Sequence, residues 1–339
     1  MAYQNMGNFN LGTIGGNGAK AVAMDANGIA SGQAFLVSEL EKRDNLVRTP
    51  LTSFTYTRDI PIRVGGGWAD YVSAMGVGYG VTGGSGDGIV SGGSSDGTPL
   101  VQADFSKELY KAHTVSVGTR VFWLDQMKGN MTGRNIDTLL RDGVRMTYDK
   151  HMDQNVYAGF ATYGSTGLMN NADVTVTNAA TGSGGAATWA TKTADEILKD
   201  VNDAITTVWA ASEYDLDAIP NHIVIPYEQY NLIATTKVSQ LAEKTILTFL
   251  LENNVAKAHG GDLYIGATAW ADGAGVGGAD RMVVYCNKER YVAVDELVPL
   301  TRAMTTANAE RFSYDTAYAA NVSETEVFYP QTMLYVDGI

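Results

Sequence analysis

The feature that most constrains this chain is a glycine-rich stretch that lies between two stretches with the alternating side-chain pattern of β-strands. Residues 64–100 contain 13 of the 38 glycines, no lysine and no arginine, and they show no amphipathic helix pattern. In the flanking residues, 51–64 and 109–123, β-branched and aromatic residues recur as they do in strands. The pattern predicts a projecting hairpin with a long glycine-rich tip, in which each arm of ~14 residues would reach ~45 Å.

A hairpin of this length is not expected to be stable in isolation. Its first arm places Phe54, Tyr56, Ile60 and Ile62 on one side of a strand, and Pro61 favours an edge position for that strand. Since the chain offers nothing of its own beneath the tip, we expect the hairpin to rest on a neighbouring copy.

Charge and cysteine content narrow the class of protein. The 339-residue chain has a formal net charge of −13 at pH 7, whereas nucleic-acid binders carry a basic face. This charge gives no indication of tight binding to phosphate groups. The single cysteine, Cys286, cannot form an intrachain disulfide, which fits assembly in the cytosol. We find neither a secretory signal nor an apolar run of the ~18 residues that a membrane helix requires.

The remaining periodicity predicts an α+β fold. Residues 135–158 carry apolar residues three or four apart, with Asn135 as the N-cap and an Arg145–Asp149 pair on the polar face. A capping box at 193–196 opens a second helix, and a third is predicted over 239–252. We expect strands over 219–225, 262–268, 281–287 and 290–295, and loops over 175–192 and 268–279.

Motifs that could indicate chemistry match only in part. Residues 78–83 fit the dinucleotide pattern, but glycine follows where a helix N-terminus should hold the pyrophosphate. Residues 93–97 fit the nucleophile-elbow pattern, but Thr98 and Pro99 follow in place of a helix. We therefore expect no enzyme, no catalytic residue and no cofactor.

A metal site has only two candidate ligands, Asp87 and Asp96. They lie in two similar glycine-rich stretches nine residues apart, which is the period of calcium-binding repeats, but at least three such repeats are needed. The four histidines are far apart in sequence and lack ligand spacing. A locally duplicated hairpin tip explains the two aspartates without calcium.

Four stretches carry a resemblance to a known family. Residues 141–159 look like a spine helix that runs into a glycine turn, and 166–170, with Gly167, Leu168 and Asn170, look like the turn after it. Residues 219–230 look like a strand followed by a helix, and 327–338 like a closing strand. Together with the order of elements, these stretches resemble tailed-bacteriophage major capsid proteins and the related encapsulins, which share the Hong Kong ninety-seven fold, over nearly the whole chain.

The resemblance implies a division of the chain. It gives an N-terminal arm at 1–50, an extended hairpin loop at 51–120, a peripheral domain with the spine helix at 121–175, an axial domain at 176–300 and returning peripheral strands at 301–339. The arm is polar and rich in small residues, so we expect it to become ordered on a neighbouring copy.

The resemblance also implies a function, a major capsid protein that self-assembles into the icosahedral head shell around the phage genome. Copies would form pentamers and hexamers through heterologous contacts. The hairpin would lie across the neighbour's spine helix and peripheral domain, with loop 268–279 at the ring axis. The expected assembly contacts are Trp68, Tyr71, Tyr79, Ile89, Val90, Arg141, Arg145, Asp149, Trp270 and Asp272.

The implied partners follow from the same family. They are a separate scaffold protein, because the arm lacks a long charged helical leader, together with portal and decoration proteins. Double-stranded DNA would be enclosed without sequence-specific binding, and no membrane is involved. Because the glycine-rich tip has no lysine, we expect non-covalent assembly. The mature protein would belong to the virion after assembly in the bacterial host cytoplasm.

Two alternatives remain open. An encapsulin-type compartment has the same fold and would require a groove for a cargo peptide. A secreted calcium-binding β-rich adhesin belongs to a different class, and the missing signal peptide and the strong helix patterns disfavour it.

Overall fold

A one-turn helix and a long hairpin open the described part of the chain. The computed structural model describes residues 50, 52–82, 100–131, 136–239 and 244–339. The helices are α1 (Tyr56–Asp59), α2 (Trp123–Met131), α3 (Ile136–Tyr157), α4 (Ala194–Ala211), α5 (Tyr227–Thr235), α6 (Ile246–Glu252) and α7 (Val255–Ala258). The strands are β1 (Ile62–Val64), β2 (Tyr71–Thr82), β3 (Leu100–Phe122), β4 (Thr175–Asn178), β5 (His222–Ile225), β6 (Tyr264–Ala267), β7 (Arg281–Tyr285), β8 (Val292–Glu296), β9 (Val298–Asn308), β10 (Ser313–Ser323), β11 (Glu326–Val327) and β12 (Met333–Asp337).

The hairpin begins later in the chain than predicted. It consists of β2 and the first half of β3, paired from Tyr71↔Lys111 to Thr82↔Leu100. The predicted first arm, 51–64, was wrong, because this stretch forms α1 and the short β1 instead. Tyr56 and Ile60 are both buried, and their spacing of four residues fits a helical turn as well as it fits one side of a strand.

Strand β3 joins the hairpin to the body of the chain. Its second half, from Ala112 to Phe122, pairs with β10, and β9 completes an antiparallel sheet in the order β2-β3-β10-β9. A separate three-stranded sheet has β8 at its centre, with β1 parallel to it and β11 antiparallel. The hairpin root therefore lies where the chain passes from one partner strand to the next.

A five-stranded mixed sheet has the order β4-β12-β7-β5-β6 and forms a core with α4, α5 and α6. The final strand, β12, pairs with β7 and with β4, although residues 301–339 were predicted to return to the peripheral domain. Every residue of β12 is buried, which is typical of a central strand. The predicted boundary at residue 300 thus separates strands that hydrogen-bond to one another.

Helix α3 agrees with the prediction for 135–158. Val144, Tyr148, Met152 and Val156 lie four residues apart and are all buried, as the periodicity requires. The helix end crosses the following turn closely, because a Cβ on Gly167 would stand 2.4 Å from the Tyr157 carbonyl carbon. A glycine is therefore required at this crossing.

The other predicted helices are confirmed in part. Thr193 and Glu196 form the capping box that starts α4. Within the predicted third helix, 239–252, the described helix begins only at Ile246, because the Thr245 hydroxyl caps it by accepting from the Thr248 N–H. Thr245 itself forms an isolated antiparallel bridge with Lys237.

Candidate assembly surfaces

The hairpin carries an apolar face that its own chain does not cover. Each odd-numbered residue of β2 pairs with an odd-numbered residue of β3, so the odd-numbered side chains share one side, here called the odd face. Its large apolar side chains that the structure describes are all exposed, namely Tyr71, Met75, Val77, Tyr79, Val101, Phe105 and Leu109. A contiguous exposed apolar surface of this kind is typical of an interaction site.

The opposite side of the hairpin, here called the even face, is mostly small and polar, apart from Val72, Leu100 and Tyr110. Three glycines of β2, at 76, 78 and 80, lie opposite Ser106, Asp104 and Gln102. Towards the root, this face borders a cleft of about 450 Å³ that Phe328 and Tyr329 of the same chain also line. The two faces therefore differ in composition, since the large exposed apolar side chains lie mainly on the odd face.

The hairpin root is held by polar contacts. The Tyr110 hydroxyl donates to the Val327 carbonyl oxygen at 3.0 Å, and the Lys111 N–H donates to Glu324 Oε1 at 2.8 Å. The Lys111 ammonium also donates to the carbonyl oxygen of Tyr163 at 3.2 Å. These bonds fix where the hairpin leaves the body of the chain.

The outer edge of β2 lacks the usual protection against pairing with another strand. Among the described strands it pairs with β3 alone, and its 12 residues include no charged residue and no proline. Exposed edges normally carry charges, prolines or bulges that prevent edge-to-edge association. An edge of this composition fits a strand that is covered in an assembly.

A second exposed apolar cluster, here called the turn patch, consists of Phe122, Trp123, Leu124, Met127 and Phe312. Phe312 has φ of 49°, an unusual backbone conformation for a bulky residue. Its carbonyl oxygen accepts from the Trp123 N–H at 2.8 Å, which ties the two halves of the patch together. The strained backbone presents an aromatic ring to solvent, so the turn patch is a second candidate contact surface.

Residues 54–60 are anchored on α3 by Asp153. One oxygen of this carboxylate accepts from the N–H groups of Thr55 and Tyr56 at 3.0 and 3.3 Å, which satisfies free donors at the start of α1. The other oxygen accepts from the Trp270 indole at 2.6 Å. The chain that leads into the hairpin is therefore fixed to the long helix.

Asp59 forms a second anchor and is fully buried. Its carboxylate accepts from Arg58 Nε at 2.6 Å and from the Tyr157 hydroxyl, and it is hydrogen-bonded to His222 Nε2 at 3.0 Å. Burial alone would raise the pKa of Asp59, but the hydrogen bonds with His222, Arg58 and Tyr157 outweigh it and hold this pKa below its usual value. The Tyr285 hydroxyl donates to the Asp59 carbonyl oxygen, so four separate segments meet here.

The predicted contacts of the hairpin can be placed in part. Trp68, Tyr71 and Tyr79 are exposed, and the two tyrosines lie on the odd face. Ile89 and Val90 lie outside the described residues, and so do the metal candidates Asp87 and Asp96 and the elbow motif at 93–97.

The predicted contacts on α3 need one correction. Arg141 and Arg145 are exposed, and Arg141 forms an ion pair with Asp137 at 3.3 Å. The predicted Arg145–Asp149 pair is not formed. Asp149 accepts instead from the Tyr56 hydroxyl at 3.3 Å, because α1 packs against this part of the helix. Asp149 therefore has a partner within its own chain, and its role as an assembly contact stays a prediction.

Loop 268–279 is held by contacts within its own chain. Trp270, a predicted assembly contact, packs against the core of its own chain and donates to Asp153, and its role in assembly stays a prediction. The loop is held further along by the Val276 N–H, which donates to Asp337 Oδ2 at 2.9 Å. Asp272 is exposed.

The described residues present candidate contact surfaces and show no arrangement typical of a metal or nucleotide site. They include no group of three or more His, Cys, Asp or Glu side chains that could hold a metal ion. The dinucleotide-like residues from Gly78 to Thr82 continue β2 in an antiparallel hairpin, where no helix start is available for a phosphate. None of the described helices is long and apolar enough to cross a membrane.

Sequence reasoning missed Met75, Phe105 and Leu109 on the odd face and the whole turn patch. A signal was present in β2, where large residues at 71, 75, 77 and 79 alternate with small residues at 74, 76, 78 and 80. High glycine content led to this stretch being interpreted as a tip, although alternating glycine is compatible with one flat side of a strand.

A family model and several solved structures each match most of the chain. A family model described as "Major capsid protein" matches residues 86–339. A search of curated protein sequences gave no match. Among solved structures, the capsid of Myoviridae phage XM1 is similar with a TM-score of 0.74 and 18% identity, over 89% of this chain and 98% of that one.

Two further structures show the same likeness. The capsid of a native GTA particle has a TM-score of 0.63 and 11% identity, over 93% of this chain and 99% of that one. A structure from Microbacterium phage Oxtober96 has a TM-score of 0.59 and 15% identity, over 90% and 97% of the two chains. At these identities, the likeness shows a shared fold.

Proposed function

The chain belongs to the major capsid protein family, and we propose that its copies are joined into a shell by the odd face of the hairpin, which lies across a neighbouring copy. The chain has the phage capsid fold and is a shell-forming structural component of a virion. The observation that carries the proposal is the odd face itself, on which seven large apolar side chains are exposed in the described part of the hairpin.

The energetics support this role for the odd face. Full burial of a large apolar side chain contributes about 1.5–3 kcal/mol, so even partial burial of seven such groups gives a substantial gross term. Association costs several kcal/mol in lost motion, which leaves a modest net energy for each contact. Repetition of the same contact around a closed shell then provides overall stability.

Further parts of the proposal concern geometry and partners. Heterologous contacts would close into pentamers and hexamers, and the arm at 1–50 would become ordered on a neighbour. A separate scaffold protein, a portal and decoration proteins would complete the particle, which assembles in the bacterial host cytoplasm. The net charge of −13 supports enclosure of double-stranded DNA without sequence-specific binding, and no catalytic activity is proposed.

The domain division is proposed with one change. The axial domain would take the five-stranded sheet, including β12, while the peripheral domain would take α3 and the strands that pair with the second half of β3. This change follows from the pairing of β12 with β7 and β4.

Non-covalent assembly remains part of the proposal, although the absence of lysine from the glycine-rich stretch does not support it. The described hairpin includes Lys107 and Lys111, so the absence of lysine from 64–100 does not exclude a lysine cross-link. Denaturing electrophoresis of boiled particles tests this point, since non-covalent shells give a single band at the mass of one chain.

The role of the odd face is tested by Phe105→Asp, which places a carboxylate at the middle of the apolar face. Gln102→Asp is the matched control, because it places the same carboxylate on the same strand but on the even face. We expect Phe105→Asp to abolish shells in electron micrographs and sedimentation profiles, and Gln102→Asp to retain them. Shells of normal yield from a folded Phe105→Asp protein would overturn the proposal.

A further inference from the structure

Glu326 in β11 is a fully buried carboxylate with only half of its hydrogen-bonding capacity used. Its side chain is 0% exposed, and Oε2 accepts from Arg63 Nη2 at 2.6 Å. No hydrogen-bond donor of the described residues reaches Oε1. An ionised carboxylate is poorly stabilised in such a position, because a buried charge requires partners for both oxygens.

The surroundings of Glu326 supply one cation for two carboxylates. Arg63 of β1 also donates from Nε to Asp295 Oδ1 of β8 at 2.5 Å, and the Asp295 side chain is only 13% exposed. The cluster is therefore neutral when Glu326 carries a proton, and it has an excess negative charge when both carboxylates are ionised. Excess charge of one sign is costly where water is excluded.

Of the other groups around Glu326, the Ser323 hydroxyl favours the ionised carboxylate and lowers its pKa, but burial outweighs this effect. The Ser323 hydroxyl of β10 donates to the Glu324 carbonyl oxygen, while the Glu324 carboxylate accepts from the Lys111 N–H. Tyr110 of β3 faces the cluster as a neutral phenol, because burial and the nearby Glu108 raise its pKa. Burial raises the pKa of the Glu326 carboxyl to about 7, against the opposing effects of Ser323 and Arg63 and with a further rise from Asp295.

The residues that follow Glu326 hold the hairpin root. The carbonyl oxygen of Val327 accepts the Tyr110 hydroxyl, and the Phe328 ring packs edge-on against the Tyr110 ring with centroids 5.8 Å apart. The Arg63 guanidinium lies over the Phe328 ring, 5.3 Å from its centroid. The cluster and the hairpin are thus joined through two consecutive residues.

We propose that Glu326 is a proton-binding site that keeps β11 in place, and that loss of its proton loosens the root of the hairpin. A proton neutralises the excess charge of the Arg63–Asp295–Glu326 cluster, so the closed arrangement binds it. When β11 opens, water reaches the carboxylate and the proton leaves readily. The position of the hairpin is thereby linked to pH.

The direction of the effect follows from linkage. The closed state holds the proton up to about pH 7, whereas the open state releases it near the ordinary glutamate value. The closed state therefore binds more protons between about pH 4.5 and 7, and its advantage over the open state falls as pH rises through this window. Above pH 7 both states are ionised and the effect levels off.

Hydrogen–deuterium exchange of the unassembled full-length chain tests the proposal. The peptides to follow are those covering 108–113 and 324–329, after correction for the intrinsic pH dependence of exchange. We expect the opening equilibrium of both peptides to rise on the order of 50-fold between pH 5 and 7.5. Glu326→Gln, which cannot ionise, should make it independent of pH, while the exposed Glu310→Gln should leave it as in the wild type.

Two results would overturn the proposal. One is wild-type protection that stays constant over this range, and the other is a Glu326→Gln protein with the wild-type slope. If Glu326→Gln does not fold, Asp295→Asn serves instead, because removal of this neighbouring charge should move the midpoint to lower pH. The measurement needs no shell, so its outcome is independent of the role proposed for the odd face.

Discussion

At the scale of single residues, buried carboxylates join segments that are distant in sequence. Asp59 contacts side chains from α3 and β5, and Asp153 contacts α1 and Trp270. None of these partnerships could be predicted from the sequence, because aspartate occurs far more often on surfaces than in cores and no periodicity identifies its partner. The sequence indicated instead that Asp149 pairs along its own helix, which was wrong.

The first prediction concerns Asp59→Ala. Removing this carboxylate leaves Arg58, His222 and Tyr157 without their shared partner, and breaking a buried ion pair costs about 3–5 kcal/mol. We expect a loss of this size in the free energy of unfolding, measured by urea titration of tryptophan fluorescence. Asp262→Ala is the control, since its carboxylate is 93% exposed and should cost less than ~0.5 kcal/mol. Equal effects of the two substitutions would contradict the anchoring role.

The same residue predicts sensitivity to acid. The pKa of Asp59 is lowered in the folded chain, so its contribution is complete above the ordinary aspartate value of 3.8 and is lost as pH falls towards the folded value. Thermal unfolding between pH 2.5 and 6 should show a decline at the acid end that is shallower in Asp59→Asn. An identical decline in both proteins would assign acid unfolding to other groups.

At the scale of elements, the sequence predicted those that have a strong period and a clear cap. Helix α3 and the start of α4 are confirmed, and so are the strands β5 to β8, because continuous apolar runs and capping boxes are local signals. The predicted hairpin begins too early in the chain, because buried residues four apart fit a helical turn as well as one side of a strand. The length of β3 could not be predicted either, since its two halves depend on different partner strands.

A prediction for α3 uses two glycines with opposite surroundings. A Cβ at Gly143, within the helix, would have no atom within 4 Å, so Gly143→Ala should raise the free energy of unfolding by about 0.5–1 kcal/mol through helix propensity. A Cβ at Gly167 would stand 2.4 Å from backbone, so Gly167→Ala should destabilise the chain by at least ~1 kcal/mol. Urea titration measures both, and stabilisation by Gly167→Ala would contradict the close crossing at the end of α3.

At the scale of the whole molecule, charge and apolar surface act in opposite directions. Each copy carries a formal net charge of −13, so copies that approach one another repel at low ionic strength. The odd face attracts by burial of apolar surface, which does not depend on charge. The net charge can be read directly from the sequence, whereas the odd face depends on the pairing of β2 with β3, which places its residues on one side.

The balance of these two forces predicts how salt affects assembly. Salt shortens the range of repulsion from ~10 Å at 0.1 M to ~3 Å at 1 M, while contacts through the odd face persist. The yield of shells, followed by light scattering, should therefore rise between 0.05 and 0.5 M NaCl. Lys107, the one cation on the outer part of the odd face, could reverse this trend if its ion pairs dominated the contact. Assembly that weakens with salt in the wild type and not in Lys107→Gln would show that charge pairing, and not apolar burial, joins the copies.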